Sequence, residues 1–158
     1  MIVVTRAIAL LLMLGISGLA TGSLAENQND DERAMTGRDY FNELKQSDGL
    51  PKWAANVCFA RVFEDPFGKF VDATASHEFL LIGDDGPGMK FQLYTRGVGG
   101  NAFVLTREFR DDNSSRFAGR MTVDGQPTAV RFGINWNTGR FLRSEEKGMT
   151  SGVCQAIE

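Results

Sequence analysis

The segment FAGRMTVDGQPTAVRFGINWNTGRFLRS, residues 117–144, contains the pattern on which the predicted fold depends. Within it, four apolar side chains alternate with small or polar ones: Val130, Phe132, Ile134 and Trp136. This period of two is typical of a half-buried β-strand. Asp124-Gly125 precedes the strand and Asn137-Thr138-Gly139 follows it, and both are turn sequences. We therefore expect the four apolar side chains to point into the core, with Arg131 and Asn135 facing outward.

The same succession of apolar strands and polar turns extends in both directions along the chain. Eight apolar or alternating runs are separated by segments rich in Gly, Asp and Asn: 57–63, 77–82, 89–96, 103–109, 117–123, 130–136, 140–144 and 152–157. No helical period lies between them. Sequential strands with tight connections pair in antiparallel order. The sequence therefore predicts a mainly all-β fold, an antiparallel meander of seven or eight strands.

The two cysteines indicate how this meander closes. Cys58 lies on the first of these strands and Cys154 on the last. In an oxidising compartment an isolated pair most simply forms a disulfide, with two buried free thiols or a nucleophilic cysteine as the alternatives. A disulfide would join both ends of the meander, so we predict a small closed or nearly closed barrel without exposed sheet edges. The alternative is an open, curved sheet packed on an N-terminal helix, an α+β arrangement.

The N-terminal part divides into three segments. Residues 1–25 resemble a cleavable signal peptide: a charged start, an apolar run shorter than the roughly 20 residues of a membrane span, and small residues at Ser23 and Ala25. An uncleaved membrane anchor is the alternative. Residues 26–35 are acidic and amide-rich and predict a disordered leader. Residues 36–158 are expected to form one β-rich domain, secreted or periplasmic.

A short helix is expected at the start of this domain. Thr36 is a plausible N-cap, and Asp39 stands three residues later as in a capping box. Tyr40, Phe41 and Leu44 recur at helical spacing and share one face. The sequence Ser47-Asp48-Gly49 supplies the end of the helix.

The overall charge argues against several classes of partner. The chain has a formal net charge of −3 and no basic run. A mildly acidic protein has no general electrostatic reason to bind nucleic acid or anionic lipid. No second long apolar stretch follows the signal peptide, so no stable membrane span is expected after cleavage. We predict no cofactor.

Few residues suggest catalysis or metal binding. His77 is the single histidine, no Gly-x-Ser-x-Gly motif occurs, and Glu78 points to the opposite face if this segment is a strand. We therefore predict an edge or surface histidine without a catalytic or metal-binding role. The acidic sequences 84–86 and 111–113 lack the spacing of a calcium loop and are interpreted as solvated turns.

Arginines recur on the predicted strands and in their turns: Arg107, Arg110, Arg116, Arg120, Arg131, Arg140 and Arg143. If alternation holds, Arg107 shares a face with Leu105 and Phe109. An arginine on an apolar face can bind an acidic ligand inside a barrel, so Arg107 is a candidate ligand contact. The alternative is that its side chain extends from the core to solvent.

Three functions are compatible with these observations. The first is an exported, non-enzymatic β domain that binds a small apolar or acidic ligand or an envelope protein. The second is a secreted inhibitor or structural interaction module that acts through loops and edge strands, and the third is an unrecognised hydrolase. A deep cavity would favour the first, a filled barrel with ordered protruding loops the second, and buried acids around His77 the third.

Overall fold

The computed structural model describes residues 34–123 and 125–158. One helix and ten strands follow in chain order: α1 Gly37–Gln46, β1 Asn56–Glu64, β2 Phe70–Asp72, β3 Glu78–Asp85, β4 Gly88–Thr95, β5 Val98–Gly99, β6 Phe103–Arg110, β7 Ser114–Val123, β8 Gln126–Asn135, β9 Arg140–Glu145 and β10 Gly148–Ala156. The predicted signal peptide, residues 1–25, and most of the predicted leader, residues 26–35, lie outside the described residues.

Eight of the strands form a closed antiparallel barrel, as the sequence predicts. The order around the barrel is β1-β3-β4-β6-β7-β8-β9-β10, and β10 pairs with β1 to close it. Two short strands lie outside this cycle: β2 pairs with the second half of β1, and β5 pairs with the end of β4. Neither was expected, because strands of three and two residues are too short to show alternation.

The disulfide lies at the seam where the barrel closes. Cys58 of β1 is directly opposite Cys154 of β10, and their sulfur atoms are bonded at 2.06 Å across a sequence separation of 96 residues. This confirms the predicted pairing. The first and last strands of the barrel are therefore joined by a covalent bond as well as by hydrogen bonds.

The barrel interior is filled by apolar side chains, with phenylalanine rings at its centre. The ring of Phe132 lies 5.0 Å from that of Phe91 and 5.4 Å from that of Phe141, centroid to centroid. Val130 and Ile134 flank Phe132 on the same face of β8 and are also buried. Eight strands enclose a space that side chains of this size can fill.

Two side chains predicted to face the core lie elsewhere. Trp136 is 38% exposed because β8 ends at Asn135, and the indole Nε1 donates a hydrogen bond to Ser115 Oγ at 3.0 Å. Phe109 is 44% exposed because the pairing of β6 with β7 shifts by one residue between Arg107 and Phe109. Such a bulge reverses the inward and outward order of the residues that follow it.

A second core lies between the helix and the outside of β1, β3 and β4. Phe41 packs edge-on against Phe59 at 5.7 Å and Phe79 at 5.8 Å. The predicted capping box is present, since Thr36 Oγ1 accepts from the Asp39 amide and Asp39 accepts from the Thr36 amide. Because β3 is covered by this helix on one face and by the barrel core on the other, five consecutive residues, 79–83, are buried.

Within residues 34–123 and 125–158, no helix is long and apolar enough to cross a membrane.

Candidate functional site

His77, the single histidine of the chain, lies just before β3 and is half-buried. Its Nδ1 contacts the carbonyl oxygen of Met35, and its own carbonyl accepts a hydrogen bond from the Arg96 amide at 3.0 Å. Across the part of the chain that the structure describes, no group of three or more His, Cys, Asp and Glu side chains is placed to hold a metal ion. His77 joins the segment before α1 to the end of β4.

The acidic turns are organised around their own backbone. Asp84 and Asp85 are exposed at the end of β3, next to the β3–β4 turn. In the β6–β7 turn, Asp111 Oδ1 accepts from the amides of Asn113 at 2.8 Å and Ser114 at 2.6 Å. These hydrogen bonds lower the pKa of Asp111 below its ordinary value, with smaller contributions from the Ser114 hydroxyl and the Arg116 guanidinium. Its carboxylate therefore stabilises the turn.

Arg107, the candidate ligand contact, points toward the barrel interior opposite Phe117. Its guanidinium carbon lies 5.6 Å from the centre of the Phe117 ring, a cation–π contact. The Nε atom is buried and has no hydrogen-bond partner among the described residues. Arg107 shares its face with Leu105 as expected, while Phe109 lies on the other side of the wall.

A different arginine, Arg143, is the more deeply buried one. It faces the barrel interior near one open end, and its side chain is 10% exposed. Its Nε lies 2.5 Å from Glu145 Oε1, and its Nη2 lies 3.5 Å from Glu78 Oε2. The two carboxylates neutralise the buried cation, which would otherwise be costly to remove from water.

This ion-pair group lines a cleft of about 300 Å³ at the mouth of the barrel. The cleft continues outward where the β1 edge has no strand partner between its pairings with β3 and β2. Ala60, Ala73 and Ser76 line both parts of it. The guanidinium that could bind an anion here is already engaged by Glu145 and Glu78.

A β-hairpin formed by β1 and β2 stands at the same end of the barrel, and hydrogen bonds to Asp65 hold its turn. Asp65 Oδ1 accepts from the amides of Phe67 and Lys69, both at 2.9 Å. The Asp65 carbonyl accepts from Gly68 at 3.0 Å, and Gly68 has a φ of +82°, which favours glycine. Asp65, Pro66 and Gly68 are the residue types that fix a tight turn.

This rigid turn presents a phenylalanine to solvent. Phe67 is 95% exposed at its tip, and Phe70 on β2 is 67% exposed. Glu64 of β1 has two cross-strand neighbours, Phe70 on β2 and Met149 on β10. The side chains of Phe70 and Met149 therefore lie on the same outer face of the sheet as Val62. We call this surface the hairpin patch; it consists of Val62, Phe67, Phe70 and Met149.

An acidic groove borders the hairpin patch. It has a volume of about 370 Å³ and lies between the β1–β2 turn and the β9–β10 turn. Four carboxylates are among its lining residues: Glu64, Asp65, Glu145 and Glu146. No lysine or arginine is among them. The hairpin patch thus combines exposed aromatic rings with a negatively charged border.

The sequence predicts the pairing of the two cysteines and, where alternation holds, the shared face of Arg107 and Leu105, but it does not predict the hairpin patch. The pattern of alternation ends with the run 57–63, so residues 64–68 count only as the segment that follows a strand. A usable signal was present, because Phe67 stands between the turn-forming residues Pro66 and Gly68 and is followed by Phe70. Tight turns are normally polar, so a phenylalanine within one is a sign of an exposed contact residue.

Comparisons with protein families and with individual proteins give no further indication of function. No protein-family model, curated protein or solved structure matches this chain.

Proposed function

We propose that this protein is an exported, non-enzymatic interaction module that docks on a partner protein through the hairpin patch. The observation that carries the proposal is the exposure of Phe67 and Phe70, 95% and 67%, on a hairpin whose turn is held by side-chain and backbone hydrogen bonds. Of the functions considered from the sequence, this corresponds to the secreted interaction module.

The energetics of binding favour such a surface. Burial of an exposed phenylalanine contributes roughly 2–3 kcal/mol from the removal of apolar area from water. Aromatic side chains are frequent among the few residues that dominate binding energy at protein interfaces. Because the turn is already ordered by Asp65, little conformational entropy is lost when Phe67 is bound. The matching partner has an apolar pocket for Phe67 with basic residues facing the acidic groove.

The barrel interior supports this choice over a small-molecule binder. The rings of Phe91, Phe132 and Phe141 pack at its centre, where a ligand-binding barrel would hold its ligand. A hydrolase is less well supported, because the Nδ1 atom of His77, the single histidine, already contacts the Met35 carbonyl.

The disulfide supports export. A Cys58–Cys154 bond fits an extracellular or otherwise oxidising compartment. In this proposal residues 1–25 act as the signal peptide, and the mature chain begins at Glu26.

Site-specific photocrosslinking tests the proposed partner contact. A photoreactive phenylalanine analogue at position 67 should crosslink one defined partner protein in the native host. The same analogue at position 98 is the control, since Val98 is 72% exposed on the unrelated strand β5. Equal crosslinking from both positions would contradict a specific role for the hairpin patch.

Affinity measurements with the purified partner then test the contribution of each ring. Phe67→Ala combined with Phe70→Ala should weaken binding by about 30-fold or more, as expected when an aromatic anchor is removed. Val98→Ala should leave the dissociation constant unchanged within about twofold. The proposal fails if the double variant binds as tightly as the wild type.

A further inference from the structure

A second surface, on the outer wall of β6–β9, has the opposite charge. Arg116 and Arg120 stand on either side of Ala118 on the outer face of β7, and Arg131 of β8 is directly opposite Ala118. All three arginines are exposed. Residues adjacent across a sheet, or two apart along a strand, have side chains roughly 5–7 Å apart. Three guanidinium groups therefore surround one small residue.

Apolar side chains are interspersed among these arginines. A continuous row crosses four strands in the order Leu142, Gly133, Arg116 and Phe109. Leu142 is 47% exposed and Phe109 is 44% exposed. The Arg116 guanidinium carbon lies 5.5 Å from the centre of the Phe109 ring. We call this surface the arginine face; it consists of Arg116, Arg120, Arg131, Phe109 and Leu142.

Among the described residues, no ion pair neutralises the positive charge of this face. The salt bridges found among residues 34–123 and 125–158 both belong to Arg143, and none involves Arg116, Arg120 or Arg131. Asp111 interacts electrostatically with Arg116, and its carboxylate also accepts hydrogen bonds from the amides of the β6–β7 turn.

The charge of the chain is correspondingly divided. Residues 103–144 contain seven arginines and four acidic residues, whereas residues 26–102 and 145–158 together contain nine basic and 16 acidic residues. A net charge of −3 for the whole chain therefore conceals a positive region. The sequence-based expectation that the protein does not bind anionic lipid considers only the net charge of the whole chain and not its distribution.

We propose that the arginine face docks the protein on an anionic phospholipid surface. Each basic side chain near such a surface raises the partition coefficient by about fivefold. Exposed apolar side chains such as Phe109 and Leu142 fit the boundary between headgroups and acyl chains. A nucleic acid or a soluble polyanion would use the arginines but would leave these apolar side chains in water.

Sedimentation with lipid vesicles tests this proposal. The purified exported protein should bind vesicles of equal parts phosphatidylglycerol and phosphatidylcholine, and should not bind vesicles of phosphatidylcholine alone. Arg116→Gln, Arg120→Gln and Arg131→Gln combined should lower the partition coefficient by about a hundredfold. The corresponding triple substitution with lysine should retain binding, because it keeps the charge.

A matched control separates the arginine face from net charge. Lys45→Gln, Lys52→Gln and Lys69→Gln combined remove the same charge from exposed positions outside β6–β9 and should lower the partition coefficient less than about tenfold. Phe109→Ser with Leu142→Ser should weaken binding without changing charge. Thermal unfolding of each variant establishes that it is folded.

Several outcomes would overturn the proposal. One is equal binding to the two kinds of vesicle, and another is an equal loss in the arginine and lysine variants, which would mean that net charge alone is responsible. A third is displacement from vesicles by millimolar inorganic phosphate, which would indicate a site for free anions. The last is arginine-dependent binding to duplex DNA or heparin without binding to vesicles.

Discussion

At the scale of single residues, two phenylalanines differ completely in their environment. Phe132 is 1% exposed and contacts two other rings, whereas Phe67 is 95% exposed. Phe132→Ala should therefore lower the free energy of unfolding by about 3–5 kcal/mol, through lost burial and the cavity that remains. Phe67→Ala should change it by no more than about 0.5 kcal/mol. Urea denaturation measures both values, and comparable losses would show that the register of β8 is wrong.

Alternation predicts such residues well where a strand is regular. Val130, Phe132 and Ile134 are buried as expected from the period of two. Trp136 and Phe109 are not buried, because Trp136 follows the end of β8 and Phe109 follows a bulge in β6. The positions of a strand end and of a bulge depend on pairing with a neighbouring strand, and the pattern of a single strand does not contain this information. The same limit applies to charge: Arg143 alternates inward with Phe141 on β9, but a charged residue is normally interpreted as exposed.

At the scale of elements, close contact between β1 and β10 depends on a glycine. A Cβ atom at Gly152 would lie 2.0 Å from the carbonyl oxygen of Phe59, whereas the nearest atom to a Cβ at Gly133 would be Arg116 Cγ at 4.0 Å. Gly152→Ala should therefore destabilise the protein by about 2 kcal/mol or more, since the obstructing atom is backbone. Gly133→Ala should be neutral or stabilising by up to about 1 kcal/mol.

Thermal and urea unfolding of these two variants compare the same added methyl group in two strands. Similar stabilities of Gly152→Ala and Gly133→Ala would mean that the β1–β10 seam is less closely packed than the structure indicates.

Elements differ in how far the sequence determines them locally. The helix was predicted with its capping box because Thr36 and Asp39 interact within one turn. The strand β2 has only three residues, and all of them are exposed. The turn at Asp65 allows β2 to pair with β1, and no hydrophobic pattern in the sequence predicts this pairing. The hairpin patch, on which the proposed function rests, is therefore not predicted by the hydrophobic pattern of the sequence.

At the scale of the whole molecule, barrel closure was predictable because the two cysteines mark the first and last strands. Cys58 and Cys154 are cross-strand partners, so the covalent constraint and the hydrogen-bond register agree. The division into two cores was not predictable in the same way. It depends on which strands α1 covers, and the buried run 79–83 is a consequence of this cover on both faces of β3.

The disulfide at the seam of the closed barrel should contribute to the free energy of unfolding. The Cys58–Cys154 bond restricts the unfolded chain over a separation of 96 residues. In the chain-entropy model a loop of this length corresponds to a stabilisation of about 4–5 kcal/mol. The wild-type protein should therefore lose about this free energy of unfolding when it is reduced, since its packed residues are otherwise unchanged.

Urea denaturation with and without reductant measures the loss directly. Cys58→Ala combined with Cys154→Ala provides the control: its stability should be low and unaffected by reductant. Hydrogen exchange should show the largest loss of protection at amides shared by β1 and β10, because opening of this seam no longer requires distortion of a covalent link. If the reduced wild type is as stable as the oxidised protein, the barrel is closed by strand pairing and core packing alone.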